Sequence, residues 1–251
     1  MKQVSIIGLG YVGLPLALAI ERSKKYKVVG YDINSKQVEK ILNKQCPITD
    51  KKAEKDLKEL KLYATNKEEE IKGSDYYIIC VPTPIYDDYT PDYRPVESAA
   101  KSIGKYLEKG QTVILESTVN PGTCEEILLP ILEKESKLKG GRDFNMAMCP
   151  ERINPGDEKW SVYNIPRNIG SLNPQKTHEV AQFYRSFLEG EINEVSSIKI
   201  AEATKIVENT FRDINIAYVY LFSLFLKAIV KYIKYLFISS AVELYTLSYI
   251  K

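Results

Sequence analysis

At 251 residues, with 44% hydrophobic and 27% charged side chains, the chain has a globular composition and the length of one large domain or one domain with a sizeable remainder. That excludes wholesale disorder, a collagen-like repeat, a small disulfide scaffold and a multi-span membrane protein. Lys and Arg number 35 against 33 Asp and Glu, and a net charge of +2 carries no bulk footprint for nucleic acid.

The N-terminus runs M-K-Q-V-S-I-I-G directly into a strand pattern over residues 4–8. It lacks the apolar stretch and small-residue cleavage site of a secretory signal, so the expected compartment is the cytoplasm. Gly8, Gly10 and Gly13 follow as G-L-G-Y-V-G, at the end of that strand and the start of a helix over 12–25. In this context the first glycine permits a tight turn and the second lets a pyrophosphate approach the backbone. The third lets helix pack on strand, with phosphate at the helix N-terminus. A second strand over 27–31 ends at Asp32, 19 residues after Gly13, where a carboxylate accepts from ribose hydroxyls and repels a 2′-phosphate. The pattern therefore predicts NAD rather than NADP.

Helices over 35–43, 96–108 and 123–137 alternate with continuous apolar runs at 76–81, 112–116 and 145–149. Runs of this kind suit strands buried on both faces, so the fold class is α/β: a doubly wound, mainly parallel sheet. The stretch 51–61 alternates Lys with acidic residues and reads as a solvated helix face. V-P-T-P and E-S-T-V-N-P-G close two adjacent strands. Ligands bind at such ends, so Thr83 and Thr118 would face one crevice, although each taken singly is equally a turn residue. A third strand end carries Glu151 and Arg152 in C-P-E-R-I-N-P-G-D. Lys205, Asn209 and Arg212 are spaced i, i+4, i+7 and share a helix face, a spacing also commonplace on solvated faces.

Cys46, Cys80, Cys124 and Cys149 form no C-x-x-C pair and read as reduced thiols, with no metal site expected. His178, the only histidine, sits in a polar helix start and reads as a surface residue. Residues 218–251 differ in composition: they hold no Gly, Pro, Asp or Asn, and 24 of the 34 are hydrophobic. The longest charge-free run there, Ile214 to Leu226, is 13 residues, short of the ~20 needed to span a bilayer, so a spanning helix is not expected. Lys227, Lys231 and Lys234 share one helical face of this tail.

These motifs, G-L-G-Y-V-G-L-P, V-P-T-P, E-S-T-V-x-P-G, C-P-E-R-I-N-P-G-D and K-I-V-E-N-T-F-R-D-I-N-I-A, stand in the order found in UDP-sugar and GDP-mannose 6-dehydrogenases. Residues 1–217 resemble that family. The E-R-I-N-P-G-D wording is most similar to UDP-N-acetylglucosamine 6-dehydrogenases, whereas F-L-E-G-E at 187–191 and the helix at 96–103 resemble UDP-N-acetylmannosamine dehydrogenases. A UDP-N-acetylhexosamine is therefore favoured over UDP-glucose. The resemblance implies a Rossmann-like NAD-binding domain over 1–195, the start of a central helix over 196–217, and homodimers formed through that helix in intact relatives. It implies oxidation of the sugar C6 alcohol to a carboxylate, for cell-surface polysaccharide precursors, by two NAD molecules in succession through a cysteine thiohemiacetal and thioester.

Residue roles are carried over in the same way. Tyr11, Val12 and Asp32 would contact NAD beside the three glycines, with Thr83 and Thr118 at its nicotinamide end. Thr118 would also hold the hydrolytic water and Glu151 would be the base, with Arg152, Ile153 and Arg212 meeting substrate. Lys205 and Asn209 would stabilise charge on the C6 oxygen. The family continues with a G-x-G-x-G-G-H-C loop bearing the nucleophile and a second nucleotide-binding domain, neither of which occurs in these 251 residues. The expectation is a C-terminally truncated or frameshifted chain, impaired in turnover, with 218–251 as an atypical hydrophobic helical tail. The competing expectation is a non-catalytic NAD-binding module whose tail recruits a membrane or partner.

Overall fold

The computed structural model describes residues 1–152 and 160–248, with side chains through Tyr235. Its strands are β1 (Gln3–Ile7), β2 (Lys27–Tyr31), β3 (Tyr63–Thr65), β4 (Tyr76–Ile79), β5 (Thr112–Leu115), β6 (Asn145–Met148), β7 (Arg167–Ser171) and β8 (Ile192–Glu194). Its helices are α1 (Gly13–Ser23), α2 (Ser35–Leu42), α3 (Lys51–Glu59), α4 (Arg94–Gly104), α5 (Leu129–Ser136), α6 (Pro174–Arg185) and α7 (Ile198–Ser248). All eight strands join one sheet in the order β3-β2-β1-β4-β5-β6-β7-β8. Strands β1 to β6 run parallel, β7 is antiparallel to β6, and β8 is parallel to β7. A sheet order of 3-2-1-4-5-6 over its first six strands is the Rossmann-like arrangement the sequence pattern predicted.

Register explains why the strands read as unbroken apolar runs. Ile6, Ile78, Ile114 and Ala147 are successive neighbours across the sheet and face one core, with α1 and α6 over it. The alternate residues Ile7, Ile79, Leu115 and Met148 face a second core under α4 and α5. Each such buried side chain contributes roughly 1.5–3 kcal/mol relative to exposure, so both faces are apolar by necessity.

Three strands escape the sequence pattern. Strands β3 and β8 have only three residues each, and β7 reads R-N-I-G-S, too polar for an apolar run. The helix expected over 123–137 also differs. Its first part, Cys124–Leu128, is a π-helical turn and α5 proper starts at Leu129. Pro130 lies in the first turn of α5, and its missing N–H cannot continue an α-helical ladder, which favours the wider turn before it.

The chain divides into two compact units, Met1–Ile206 and Val207–Lys251. The second consists of the α7 residues from Val207 onward. From Val207 to Tyr235 its large apolar side chains, among them Phe211, Tyr218, Leu221 and Phe225, are exposed. By length and composition alone, α7 is the one described helix able to cross a membrane, and none of its most apolar 18-residue window is buried. The 13-residue charge-free run counted in the sequence thus understates that stretch, because the window tolerates the flanking lysines.

Candidate functional site

The site begins where β1 ends. Gly8 has φ +93° and its N–H donates to the Tyr31 carbonyl at 2.8 Å, turning the chain sharply out of the sheet. A Cβ on Gly13 would lie 1.8 Å from the Gly8 carbonyl oxygen, so helix and strand approach as closely as only glycine permits. At Gly10 a Cβ would meet nothing within 4 Å. Helix α1 then starts with no side-chain cap and no acidic residue in its first turn. The positive end of its dipole is thereby left to an external anion, while the Leu14 N–H already donates to the Gly10 carbonyl at 3.1 Å. Val12 is half-buried at this start and Tyr11 is exposed beside it.

Asp32, just past β2, ties this turn to the next strand. One carboxylate oxygen accepts from the Leu9 N–H at 2.8 Å and the other from the Asn34 N–H at 2.8 Å. Gln37 adds a bond from its side-chain amide to the Leu9 carbonyl at 2.6 Å, and Asn34 caps α2. The carboxylate is therefore a brace for the glycine turn, and each oxygen keeps a second lone pair for ribose hydroxyls. An uncapped helix start, an open Gly10 and a fixed carboxylate together fit a dinucleotide.

Thr83 and Thr118 are brought together at the strand ends. The Thr83 hydroxyl donates to the Thr118 carbonyl at 2.8 Å, and the Ser117 hydroxyl donates to the Val81 carbonyl at 2.6 Å. The two loops are thus fastened along one wall of the crevice. On the next strand, the Glu151 N–H donates to the Glu116 carbonyl at 3.2 Å, and the Glu151 residue is buried. Arg152 donates from Nη1 to the Pro166 carbonyl at 3.0 Å. Ile153 lies outside the described residues. His178 is exposed, with Nδ1 3.1 Å from Glu194, in accord with its reading as a surface residue.

Beneath these loops lies a buried polar cluster that sequence reasoning missed. Glu116 follows β5 and Arg167 opens β7. Arg167 Nη1 donates to Glu116 at 2.8 Å, and the Tyr184 hydroxyl donates to the other carboxylate oxygen at 2.6 Å. Their side chains are 1% and 0% exposed for Arg167 and Glu116. Glu116 was visible as the first residue of E-S-T-V, but its cation stands 51 positions away, beyond any local pattern.

The four cysteines bear on the chemistry. Burial pushes the Cys149 thiol up to about 12, with nearby Arg167 pulling partly against it. Burial also holds the Cys80 and Cys124 thiols well above the usual range, and it raises half-buried Cys46. Burial thus disfavours the thiolate form of all four, unlike the exposed, activated thiol of a nucleophile.

The first two turns of α7 belong to the first unit. Ile198, Ala201, Glu202 and Lys205 form one buried stripe at i, i+3, i+4, i+7. Lys205 is therefore not on a solvated face. Asn209 and Arg212 belong to the second unit, where Arg212 lies 3.8 Å from Glu208.

Residues 2–188 match the model of the UDP-glucose/GDP-mannose dehydrogenase family, NAD binding domain. The chain is 42% identical over 219 residues to a UDP-N-acetyl-D-glucosamine 6-dehydrogenase of Pseudomonas aeruginosa, covering 86% of this chain and 50% of that protein. It is 40% identical over 220 residues to a UDP-N-acetyl-D-mannosamine dehydrogenase of Pyrococcus horikoshii, covering 86% and 51%. The solved structure of a UDP-D-ManNAc dehydrogenase from Pyrococcus horikoshii superposes with a TM-score of 0.81 at 38% identity, over 86% of this chain and 52% of that one. The chain thus spans about half the length of the relatives it matches. With the glycine turn, the uncapped helix and the braced Asp32 in place, this chain belongs to the UDP-glucose/GDP-mannose dehydrogenase family and carries its NAD-binding domain.

Proposed function

We propose that these residues form the NAD-binding half of a cytoplasmic UDP-N-acetylhexosamine 6-dehydrogenase that supplies oxidised sugar nucleotides for cell-surface polysaccharide and is homodimeric through its central helix. The observation that carries the reading is the crevice itself, in which the dinucleotide turn, the Thr83–Thr118 wall and buried Lys205 belong to one compact unit. NAD, when bound, accepts hydride from the sugar C6. The chain does the rest. Gly8, Gly10, Gly13, Tyr11 and Val12 hold the pyrophosphate end, and Asp32 takes the ribose. Thr83 and Thr118 flank the nicotinamide end, and Thr118 also orients water for Glu151 acting as base. The Lys205 ammonium offsets charge growing on the C6 oxygen, a role worth ~3 kcal/mol per donor. Arg152 and Ile153 meet the substrate, and the parts given to Asn209 and Arg212 rest on the family resemblance.

The 251-residue polypeptide should bind NAD without producing the carboxylate, because its four cysteines are buried or half-buried and burial disfavours their thiolate forms. Calorimetry with NAD, together with NADH absorbance on UDP-N-acetylglucosamine, UDP-N-acetylmannosamine and UDP-glucose, tests both halves. Steady turnover on any of the three would overturn the inactivity, and its substrate would name the sugar. Asp32→Ala should weaken NAD by about 1.5–3 kcal/mol, roughly 10- to 150-fold, and narrow its advantage over NADP. Unchanged NAD affinity in that variant would remove Asp32 from the site.

A second reading, a tail that engages a lipid surface, is favoured by the exposed apolar run of α7 with only Lys227, Lys231 and Lys234 as charges between Asp213 and Tyr235. Co-sedimentation with anionic vesicles should then be strong for the full chain and lost when it ends at Ala217. Equal binding by the two forms would dismiss it.

A further inference from the structure

Glu202 is a carboxylate with no exposed surface, and its bonds leave its own helix altogether. One oxygen accepts from the Gly122 N–H at 2.6 Å and the other from the Cys124 N–H at 2.8 Å. Those donors lie where the loop carrying Thr118 turns into the π-helical turn ahead of α5. They are N–H groups at the start of a helical stretch, which ordinarily seek a side-chain cap from their own segment. Thr123, which precedes that turn, makes no such cap, and its hydroxyl instead donates to the Asn120 carbonyl at 2.7 Å. The anion that satisfies them comes from 78 and 80 positions away. Gly122 has φ +100°, a backbone conformation that turns the chain here and that residues other than glycine rarely adopt.

The clamp has an outer half. Lys199, one turn before Glu202, reaches Glu126 at 3.2 Å and Glu125 at 3.8 Å, so the same loop-to-helix junction is gripped from the solvent side. Exposed pairs of this kind contribute about 0–1 kcal/mol, whereas an anion fully withdrawn from water and bonded to two amides is the stronger constraint. Lys205 stands three residues past Glu202 on the same buried stripe. Fixing Glu202 against Gly122 and Cys124 therefore fixes the axial rotation and height of the turn that presents Lys205, relative to the loop that presents Thr118.

From this geometry we propose that Glu202 is a positioning residue, a carboxylate cap supplied in trans that locks the Thr118 loop and the Lys205 turn into one rigid wall. The proposal deepens the reading of Lys205 as the C6-oxygen contact, but its test does not depend on turnover. Glu202→Gln keeps the shape of the side chain, but only one of its two terminal atoms can accept, and it removes the charge. In the full chain, exchange of the Gly122 and Cys124 amides should accelerate at least 10-fold by hydrogen–deuterium exchange. Acylation of Lys205 by an amine-selective ester, followed by peptide mass spectrometry, should become at least 3-fold faster. The remaining lysines should keep their wild-type rates.

Accelerated amides with an unchanged Lys205 acylation rate would make Glu202 merely structural and overturn the proposal. Uniform acceleration at every lysine, or no change at Gly122 and Cys124, would overturn it as well. Should Glu202→Ala fail to fold, the glutamine variant still decides. NAD calorimetry on the same samples separates this failure from failure of the proposed function: intact NAD binding with an unmoved Lys205 sinks only the clamp.

Discussion

Replacing Arg167 by methionine should lower the stability of the chain by about 3–5 kcal/mol, because the Glu116 carboxyl would lose its buried guanidinium partner and keep, among the described residues, the Tyr184 hydroxyl. At roughly 2–4 °C per kcal/mol for a domain of this size, the thermal midpoint should fall by about 6–20 °C. The direction follows from desolvation. Two charges held out of water repay their burial only through each other, so removing one is costlier than removing both. Arg167→Met combined with Glu116→Leu should therefore recover much of the loss, and Tyr184→Phe alone should cost nearer 1 kcal/mol. Differential scanning calorimetry on these variants, with Glu116→Leu alone to close the cycle, gives the coupling. A double variant no more stable than Arg167→Met would show that the pair is not acting as an isolated unit.

Gly13→Ala should be nearly as damaging, for a different reason. The added methyl would stand 1.8 Å from the Gly8 carbonyl oxygen and 3.0 Å from its carbon, and both belong to backbone that cannot rotate aside. Overpacking usually costs 1–3 kcal/mol, and a clash with backbone places this substitution at about 3 kcal/mol or more, with NAD binding lost alongside. Gly10→Ala makes the informative contrast. With nothing within 4 Å of the new methyl, the fold should keep its melting temperature within a degree or two, while the methyl stands where the dinucleotide must approach. Thermal shift and NAD calorimetry on the two variants should dissociate. A stable Gly13→Ala protein, or Gly10→Ala with undiminished NAD affinity, would show that the turn does not work this way.

Much of the architecture could be read in advance because both faces of β1, β2, β4, β5 and β6 are buried, and this writes itself as unbroken apolar runs. The glycine turn was legible for a similar reason: its constraint is local, and only glycine satisfies it at Gly8 and Gly13. What stayed hidden depends on partners distant in sequence. Strand β7 contains an arginine that is buried only because Glu116 awaits it. Nothing local marks Glu202, whose value arises from two amides nearly 80 residues away. Lys205, Asn209 and Arg212 were grouped by spacing. What the spacing does not show is that Lys205 continues a stripe with Ile198, Ala201 and Glu202 that is buried.

The reversal at β7 carries a consequence for how small a self-sufficient piece of this domain can be. Because β7 runs against β6, its first residue arrives at the carboxyl end of the sheet, where Glu116 waits at the end of β5. A polypeptide stopped after β6 would possess every glycine of the dinucleotide turn and yet lack both partners of Glu116 and the α6 side chains Val180, Ala181 and Phe183 that complete one core. The minimal autonomous folding unit must therefore extend at least through Tyr184, and the last segments of the domain act as the counter-ion that lets the first ones fold.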